Sequence, residues 1–208
     1  MADKPVLYGF DGSTYVRTVR MFLMENGIDY EQVPVNVLEG EPRQPEHLKR
    51  HPFGKVPVLD IDDLRIRETD AICRYLDETG TGPSRVPEDP RVRAKMNEAI
   101  SLIGAYGYDA LVGAAGYHLF PELIDGLDDE GLSRAIADSQ TLNALLMEMA
   151  DPFICGKEPT MADYFLAPIV FYVSLTPEAD KIITGKLARW WTPMQEIESF
   201  RATEPDLG

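Results

Sequence analysis

The sequence is poor in cysteine, in long apolar runs and in positive charge, and each shortage excludes a class of protein. Only Cys73 and Cys155 occur, and neither stands in a paired motif, which excludes a disulfide scaffold. No window reaches the roughly 18 consecutive apolar residues of a membrane-spanning helix. The 20 Lys and Arg residues are outnumbered by 35 Asp and Glu residues, for a net charge of −15. Such a charge repels nucleic-acid phosphates and anionic membranes.

The same shortages indicate a compartment. The start of the sequence has no basic segment followed by an apolar one, and unpaired cysteines suit a reducing environment. We therefore expect a cytoplasmic protein with neither nucleic acid nor membrane as a partner. A hydrophobic content of 44% is that of an ordinary packed core.

Apolar spacing in the first 80 residues predicts a mixed α/β domain. A short strand at 5–9 ends in a Gly/Asp/Ser turn, a helix follows and stops at 26–27, and residues 30–36 alternate as a second strand. After a loop, residues 56–60 and 64–66 form an antiparallel hairpin, and a helix runs from about 69 to 78. The predicted order is therefore βαβ followed by ββα.

The remainder of the chain is predicted to be helical. Residues 81–90 are rich in turn-forming residues and indicate an interdomain linker, so that the two domains span 1–80 and 91–208. Within the second domain, Thr160-x-x-Asp163 resembles a capping box ahead of the apolar run at 165–173. We therefore assign Asp163 a role in folding.

The most informative stretch of the sequence runs through residues 52–59 and 68–72. Pro57 stands at the entrance to an apolar run, where a residue without an N–H favours a strand start. If the Val56–Pro57 bond is cis, Val56 turns its backbone N–H and C=O outward, free to pair with an extended ligand. Thr69 then begins a helix whose first N–H groups suit a carboxylate. Together these features predict a peptide-binding edge.

Segments in both halves of the chain resemble the cytosolic glutathione transferases, with the N-terminal half most similar to the plant phi class and related bacterial classes. The segments are Gly12-Ser13-Thr14-Tyr15-Val16-Arg17, Pro45-Glu46-His47-Leu48, His51-Pro52-Phe53-Gly54-Lys55-Val56-Pro57, Glu68-Thr69-Asp70-Ala71-Ile72-Cys73 and Gly156-Lys157-Glu158-Pro159-Thr160-Met161-Ala162-Asp163. The resemblance implies an α/β, thioredoxin-like N-terminal domain that binds glutathione. It also implies an all-α C-terminal domain that lines the electrophile site.

Ser13 is the predicted catalytic residue. It lies between the first strand and the first helix, which places its hydroxyl beside a positive helix terminus. Only the thiolate form of glutathione is a good nucleophile, and a hydroxyl that donates a hydrogen bond to sulfur favours that form. On sequence chemistry alone Ser13 would simply cap the helix; the resemblance to serine-type transferases implies the catalytic role. Tyr8 and Thr14 are the competing hydroxyls.

The resemblance also implies the contacts with glutathione. Arg43 matches a basic residue that binds the glycine carboxylate, and Lys55 lies where a second polar contact is usual; both complement a negative charge. Val56 pairs with the cysteinyl backbone, and Glu68 and Thr69 hold the γ-glutamyl end. Glutathione is then a co-substrate.

The second substrate is assigned to aromatic residues of the helical domain. Tyr106, Tyr108 and Tyr117 would form walls for a flat apolar compound, although packing between helices would use the same side chains. The sequence does not name the electrophile. His118 has no metal-type residues near it in the sequence, and we predict no metal site.

These predictions converge on a glutathione S-transferase that conjugates glutathione to small hydrophobic electrophiles. The alternatives are a glutathione-dependent isomerase, dehalogenase or peroxidase of the same fold, or a noncatalytic binding protein. Phe53, an aromatic in an otherwise polar loop, predicts a homodimer in which it contacts the partner. Arg17 is expected to brace the first helix rather than to contact substrate.

Overall fold

The computed structural model describes residues 4–123 and 127–206, and they group into two compact units. The first holds residues up to Ser84 together with those from Glu198, and the second is Arg85–Ile197. The division after Ser84 falls inside the predicted linker at 81–90. Residues from Glu198 onward, which the sequence analysis placed in the helical domain, group with the first unit instead.

The first unit is built on a four-stranded sheet. Its strands are β1 (Val6–Tyr8), β2 (Glu31–Val33), β3 (Val58–Ile61) and β4 (Leu64–Arg67), in the order β2-β1-β3-β4. β1 pairs in parallel with β2, while the β1/β3 and β3/β4 pairs are antiparallel. Its helices are α1 (Thr14–Glu25), α2 (Pro45–Arg50), α3 (Thr69–Thr79) and α10 (Glu198–Ala202). The predicted thioredoxin-like arrangement is confirmed.

The core of this unit follows the predicted periodicity. The α1 residues at helical spacing and the facing strand residues are all fully buried: Val16, Val19, Phe22, Leu23, Leu7 and Leu59. The segment between β2 and β3, predicted as a loop, contains α2. Pro45 is its first residue, a position where proline needs no hydrogen-bonded N–H. The segment has too few apolar residues to show helical periodicity, which is why the sequence pattern missed it.

A buried arginine explains why the last helix belongs to the first unit. Arg17 is 1% exposed, and its Nη2 donates to the Phe200 carbonyl at 2.8 Å. The guanidinium also lies 4.1 Å from the centre of the Phe200 ring. From the other side, the Ser199 hydroxyl donates to the Glu25 carboxylate at 2.6 Å. Arg17 thus braces α1 against α10, as expected.

The second unit is helical. It contains α4 (Pro90–Leu102), a π-helical segment (Ile103–Val112), α5 (Gly113–Leu119), α6 (Asp129–Leu146), α7 (Met161–Ser174), α8 (Ala179–Ile182) and α9 (Gly185–Met194). None of the helices in the described residues is both long and apolar enough to cross a membrane.

The start of α7 is closed by a buried polar network around Asp163. One Asp163 carboxylate oxygen accepts the Thr160 N–H at 2.7 Å and the Thr160 hydroxyl at 2.9 Å. The other accepts the Ile154 N–H at 2.9 Å and the Trp190 indole N–H at 2.8 Å. Burial raises the pKa of Asp163, against the lowering effect of these hydrogen bonds. The capping box is therefore present, and every Asp163 contact described is structural.

Candidate active site

One end of the sheet brings together the ends of three strands, β1, β3 and β4. Tyr8 at the end of β1 pairs with Val58 at the start of β3, and Val58 pairs with Arg67 at the end of β4. Because these three residues form one row across the sheet, the chain beyond each of them leaves from the same side. The segments that leave there are the loop to Ser13, the Val56–Pro57 step and the Glu68-Thr69 helix start.

Ser13 caps α1 and keeps its hydroxyl proton. Its backbone is extended, at φ −78° and ψ 124°, and its Oγ accepts the Val16 N–H at 3.3 Å. Accepting a hydrogen bond uses one lone pair of the oxygen and leaves the O–H able to donate. The capping role and the thiol-activating role, which the sequence presents as alternatives, are therefore compatible.

The two competing hydroxyls are engaged or buried. The Tyr8 hydroxyl donates to Asp60 at 3.3 Å, and the Arg50 guanidinium lies 4.4 Å from the centre of the Tyr8 ring. Thr14 is 8% exposed as the first residue of α1. These surroundings distinguish both hydroxyls from that of Ser13, whose oxygen accepts the Val16 N–H.

The backbone at Val56 lies just ahead of β3 and outside the hydrogen-bonded strand pairs. The Val56–Pro57 peptide bond is cis, and β3 begins only at Val58. Within the described residues no hydrogen bond reaches the N–H or the C=O of Val56. A backbone donor and acceptor next to a strand start are what an added strand requires.

The start of α3 lacks a side-chain cap. Its N-cap residue is Glu68, and no side chain bonds to the first turn from that position. The intrahelical pattern begins with the Ile72 N–H donating to the Glu68 carbonyl at 3.0 Å, so the helix itself does not use the three N–H groups before it. Such a terminus attracts a carboxylate through its N–H groups and its dipole.

Glu68 has a strained backbone at this helix start. Its φ is 68° and its ψ is 126°, a left-handed region where a residue other than glycine is rare and costs about 1–3 kcal/mol. The Glu68 carboxylate lies 3.4 Å from Nε2 of His51, a residue that is itself buried. Sequence reasoning missed His51 as a neighbour of the site, because its partner is 17 residues away in the chain.

A glycine lets the backbone next to Lys55 pass close to Arg43. Gly54 has φ +60°, and a Cβ there would lie 2.8 Å from the Pro42 carbonyl and 3.1 Å from Cδ of Arg43. Only glycine lets the backbone before Lys55 approach Arg43 this closely. The Lys55 carbonyl is held by Nε2 of His47 at 2.8 Å. Both cationic side chains are exposed and lie in adjoining segments.

The three candidate electrophile residues lie in the second unit with different surroundings. Tyr106 is 63% exposed and Tyr108 43% exposed, both on the π-helical segment. The hydroxyl of Tyr117 donates to Asp129 at 2.6 Å, a bond that raises the pKa of Tyr117. A π-helix is rare and is often found at functional sites, and no pattern in the sequence indicated it.

Two further predictions concern Phe53 and metals. Phe53 is 76% exposed, the most exposed of the large hydrophobic side chains in the described part of the chain. The centre of its ring lies 6.3 Å from the centre of the His51 ring, with an angle of 67° between the two ring planes. Among residues 4–123 and 127–206 no group of His, Cys, Asp or Glu could hold a metal ion. The dimer stays a prediction.

A family model and individual relatives both match this chain. The family model described as "Glutathione S-transferase, N-terminal domain" matches residues 7–84. The chain is similar to the maleylacetoacetate isomerase of Rhizobium meliloti, with 36% identity over 82% of this chain and 82% of the relative. It is also similar to glutathione S-transferase Z2 of Arabidopsis thaliana, with 29% identity over 96% of this chain and 90% of the relative.

Among solved structures, the chain is similar to poplar glutathione transferase F1. The TM-score is 0.86, the sequence identity is 24%, and 97% of each chain is covered. At that identity the likeness shows the fold alone. The predicted two-part fold is confirmed, whereas the serine-type and phi-like subclass is not.

Proposed function

Because the chain belongs to the glutathione S-transferase family, we propose that it is a glutathione-dependent enzyme in which Ser13 activates the thiol of bound glutathione. The observation that carries this proposal is the row Tyr8, Val58 and Arg67 across the sheet. Because of this row, the Ser13 loop, the Val56 backbone and the start of α3 all adjoin the same end of the sheet.

Each part of the tripeptide has a proposed partner there. The Val56 N–H and C=O pair with the cysteinyl backbone, in the manner of an added strand. The γ-glutamyl carboxylate lies at the uncapped start of α3, near Glu68 and Thr69. The glycine carboxylate is held by Arg43 and Lys55, whose charges are opposite to its own.

The proposed chemistry follows from the state of Ser13. A free thiol has a pKa of about 8.5 and is mostly protonated near neutral pH. The Ser13 hydroxyl, which caps α1 through a lone pair, donates its hydrogen to the sulfur and stabilises the thiolate. The α1 dipole, positive at this end, acts in the same direction. The thiolate is then the nucleophile.

We propose isomerisation as the reaction, in preference to the predicted conjugation. The support is the similarity to a protein named maleylacetoacetate isomerase at 36% identity. The thiolate adds to a carbon of a cis double bond conjugated to a carbonyl, and the bonding electrons move to the carbonyl oxygen. The former double bond is now single and rotates. The electrons return, the carbon–sulfur bond breaks, and the trans product leaves with glutathione unchanged.

Conjugation is the second candidate, and it begins with the same step. If the substrate carries a group that leaves with its electron pair, addition of the thiolate ends in a stable thioether instead. In both cases we propose that Tyr106, Tyr108 and Tyr117 contact the second substrate. The exposure of Tyr106 and Tyr108 supports this for two of the three.

The experiment compares the amount of product formed with the amount of glutathione consumed. The purified protein is mixed with maleylacetoacetate in large excess over glutathione, and the trans product is followed. Isomerisation continues past one turnover per glutathione and leaves the thiol concentration unchanged. Conjugation stops when glutathione is exhausted. Product formation that does not depend on glutathione would contradict both reactions, and a panel of electrophiles without a cis double bond tests the second one separately.

We also propose that the protein forms a homodimer anchored by Phe53. An aromatic side chain that is 76% exposed is costly to leave in water and common at interfaces. Sedimentation of the wild type should give twice the chain mass, and Phe53→Ala should shift the equilibrium towards the monomer. Leu38→Ala, at an exposed apolar residue elsewhere in the first unit, is the matched control. A monomeric wild type would contradict the dimer, and an unchanged dimer in Phe53→Ala would exclude this anchor.

A further inference from the structure

The loop that carries Ser13 is held by hydrogen bonds along its length. At its start, the Gly9 N–H donates to the Val33 carbonyl at 3.0 Å, and Nε2 of Gln32 donates to the Gly9 carbonyl at 3.0 Å. At its end, the Ser13 N–H donates to the Phe10 carbonyl at 3.1 Å. Between these points the loop has one charged side chain, Asp11.

Asp11 joins this loop to two other segments. Its Oδ1 accepts from Nε2 of Gln32 at 2.8 Å and lies 3.1 Å from Nη1 of Arg20 on α1. Gln32 therefore bonds to the loop twice, through the Gly9 carbonyl and through the Asp11 carboxylate. One carboxylate oxygen of Asp11 therefore links the loop to both β2 and α1.

Arg20 connects Asp11 to more of the first unit. Its Nη1 also donates to the Thr203 carbonyl at 3.4 Å, just after α10, and its Nε donates to the Tyr30 hydroxyl at 3.4 Å. The Arg20 side chain is only 14% exposed, whereas that of Asp11 is 53% exposed. The arginine is thus largely enclosed by the first unit, and Asp11 takes its position from Arg20 together with Gln32.

We propose, on the basis of the proposed function of Ser13, that Asp11 and Arg20 are positioning residues that hold the Ser13 hydroxyl in line with the sulfur of bound glutathione. A displacement of about 1 Å in a reacting group is enough to reduce a rate severely. An ion pair with one partner half exposed contributes little to stability. Its contribution is therefore expected in the geometry of the loop.

The sign of a pKa change separates positioning from simple electrostatics. A carboxylate near the sulfur disfavours the thiolate, so that removing Asp11 would lower the pKa of the bound thiol if charge alone mattered. If Asp11 instead positions Ser13, its removal weakens the bond from the hydroxyl to sulfur and raises that pKa. The two mechanisms predict opposite shifts, which makes Asp11 the informative residue to change. Removal of Arg20 would raise the pKa by either route.

The test is a thiolate absorbance titration of the glutathione complex. Asp11→Ala should raise the pKa of the bound thiol by about half a unit to one unit, equivalent to a loss of roughly threefold to tenfold in thiolate near neutral pH. Its glutathione Kd from calorimetry should stay within about twofold of wild type, because the proposed peptide contacts are elsewhere. Asp11→Asn keeps an oxygen acceptor for Gln32 and Arg20 and should lie closer to wild type than Asp11→Ala.

The matched control is Asp29→Ala. Asp29 is a carboxylate of the same unit, 87% exposed and paired with Lys4 at 2.9 Å, and its loss should leave the titration unchanged. A thiol pKa that falls or stays constant in Asp11→Ala, while wild type shows a lowered pKa that depends on Ser13, overturns the positioning role alone. If wild type shows no lowered thiol pKa, the proposed function fails, and this inference fails with it.

Discussion

The start of α7 in the second unit and the starts of α1 and α3 in the first unit differ in how fully side chains cap their first N–H groups. In the second unit, α7 has a complete capping box in which Thr160 and Asp163 bond to each other and to the chain around them. In the first unit, Ser13 closes α1 with one lone pair and keeps a hydrogen to donate, and Glu68 provides α3 with no side-chain cap at all. A fully satisfied helix start serves folding. A partly satisfied one has groups available for a ligand.

The largest expected effect is a loss of stability at the fully capped start of α7. Asp163→Ala removes the acceptor for two backbone N–H groups and the Trp190 indole, which would remain buried without it. The free energy of unfolding should fall by about 3–5 kcal/mol, as measured by urea denaturation. Asp138→Ala, at an exposed carboxylate of α6, is the control and should change it little. A loss similar to that of the control would mean that the network is not what closes α7.

A substitution at the uncapped start of α3 should change the affinity for glutathione instead of the stability. Thr69→Ala removes the proposed contact with the γ-glutamyl end. A lost hydrogen bond to a charged group is worth about 1.5–3 kcal/mol, so the glutathione Kd should rise roughly tenfold to a hundredfold. Thr79→Ala changes the same residue type at the other end of α3 and should leave the Kd unchanged. Calorimetry that finds equal affinity in both variants would argue against the assignment of Thr69.

A substitution of Ser13, at the start of α1, should reduce activity without reducing the affinity for glutathione. Ser13→Ala removes the hydroxyl donor and should raise the pKa of the bound thiol by about one unit, which reduces the thiolate near neutral pH roughly tenfold. Thr14→Ala and Tyr8→Phe should not reproduce this shift in an absorbance titration. A shift confined to Tyr8→Phe would transfer the role to the tyrosine.

Glycine at the same position separates capping from catalysis. Alanine at an N-cap costs about 1 kcal/mol of stability, whereas glycine costs only a few tenths. Ser13→Gly should therefore lose as much turnover as Ser13→Ala while unfolding at a higher urea concentration. If turnover followed stability across the two variants, the hydroxyl would matter only as a cap.

The smallest expected effect is at Glu68. Its φ of 68° is readily adopted by glycine, so Glu68→Gly should raise the free energy of unfolding by about 1 kcal/mol, after allowance for the greater freedom of glycine in the unfolded chain. Glu68→Ala keeps the strain and should give no such gain. Thermal unfolding of the two variants is the measurement, and equal values would show that the backbone at Glu68 is relaxed.

The fold was largely predictable because local patterns encode it. The α1 periodicity, the hairpin and the capping box at Asp163 each appear as a spacing of a few residues, and each is present in the structure. The α2 helix was missed because its polar residues have no apolar period. Glu68 could be picked out only through the family resemblance, and nothing in the sequence indicates its backbone conformation.

The site was predictable only in part, because its supporting contacts join distant residues. Asp11, Gln32 and Arg20 are ordinary polar residues in the sequence, and only the pairing of β1 with β2 brings them together. The Tyr117 hydroxyl was considered for substrate, yet it donates to Asp129, 12 residues along the chain. No spacing rule predicts either contact.

The return of the chain to its first unit has a consequence during synthesis on the ribosome. The first unit is interrupted between Ser84 and Glu198, and the buried guanidinium of Arg17 bonds to the carbonyl of Phe200. In a nascent chain, α1 therefore lacks its last packing partner until residue 200 has left the exit tunnel. The whole intervening helical unit is therefore synthesised before the first unit receives its last helix.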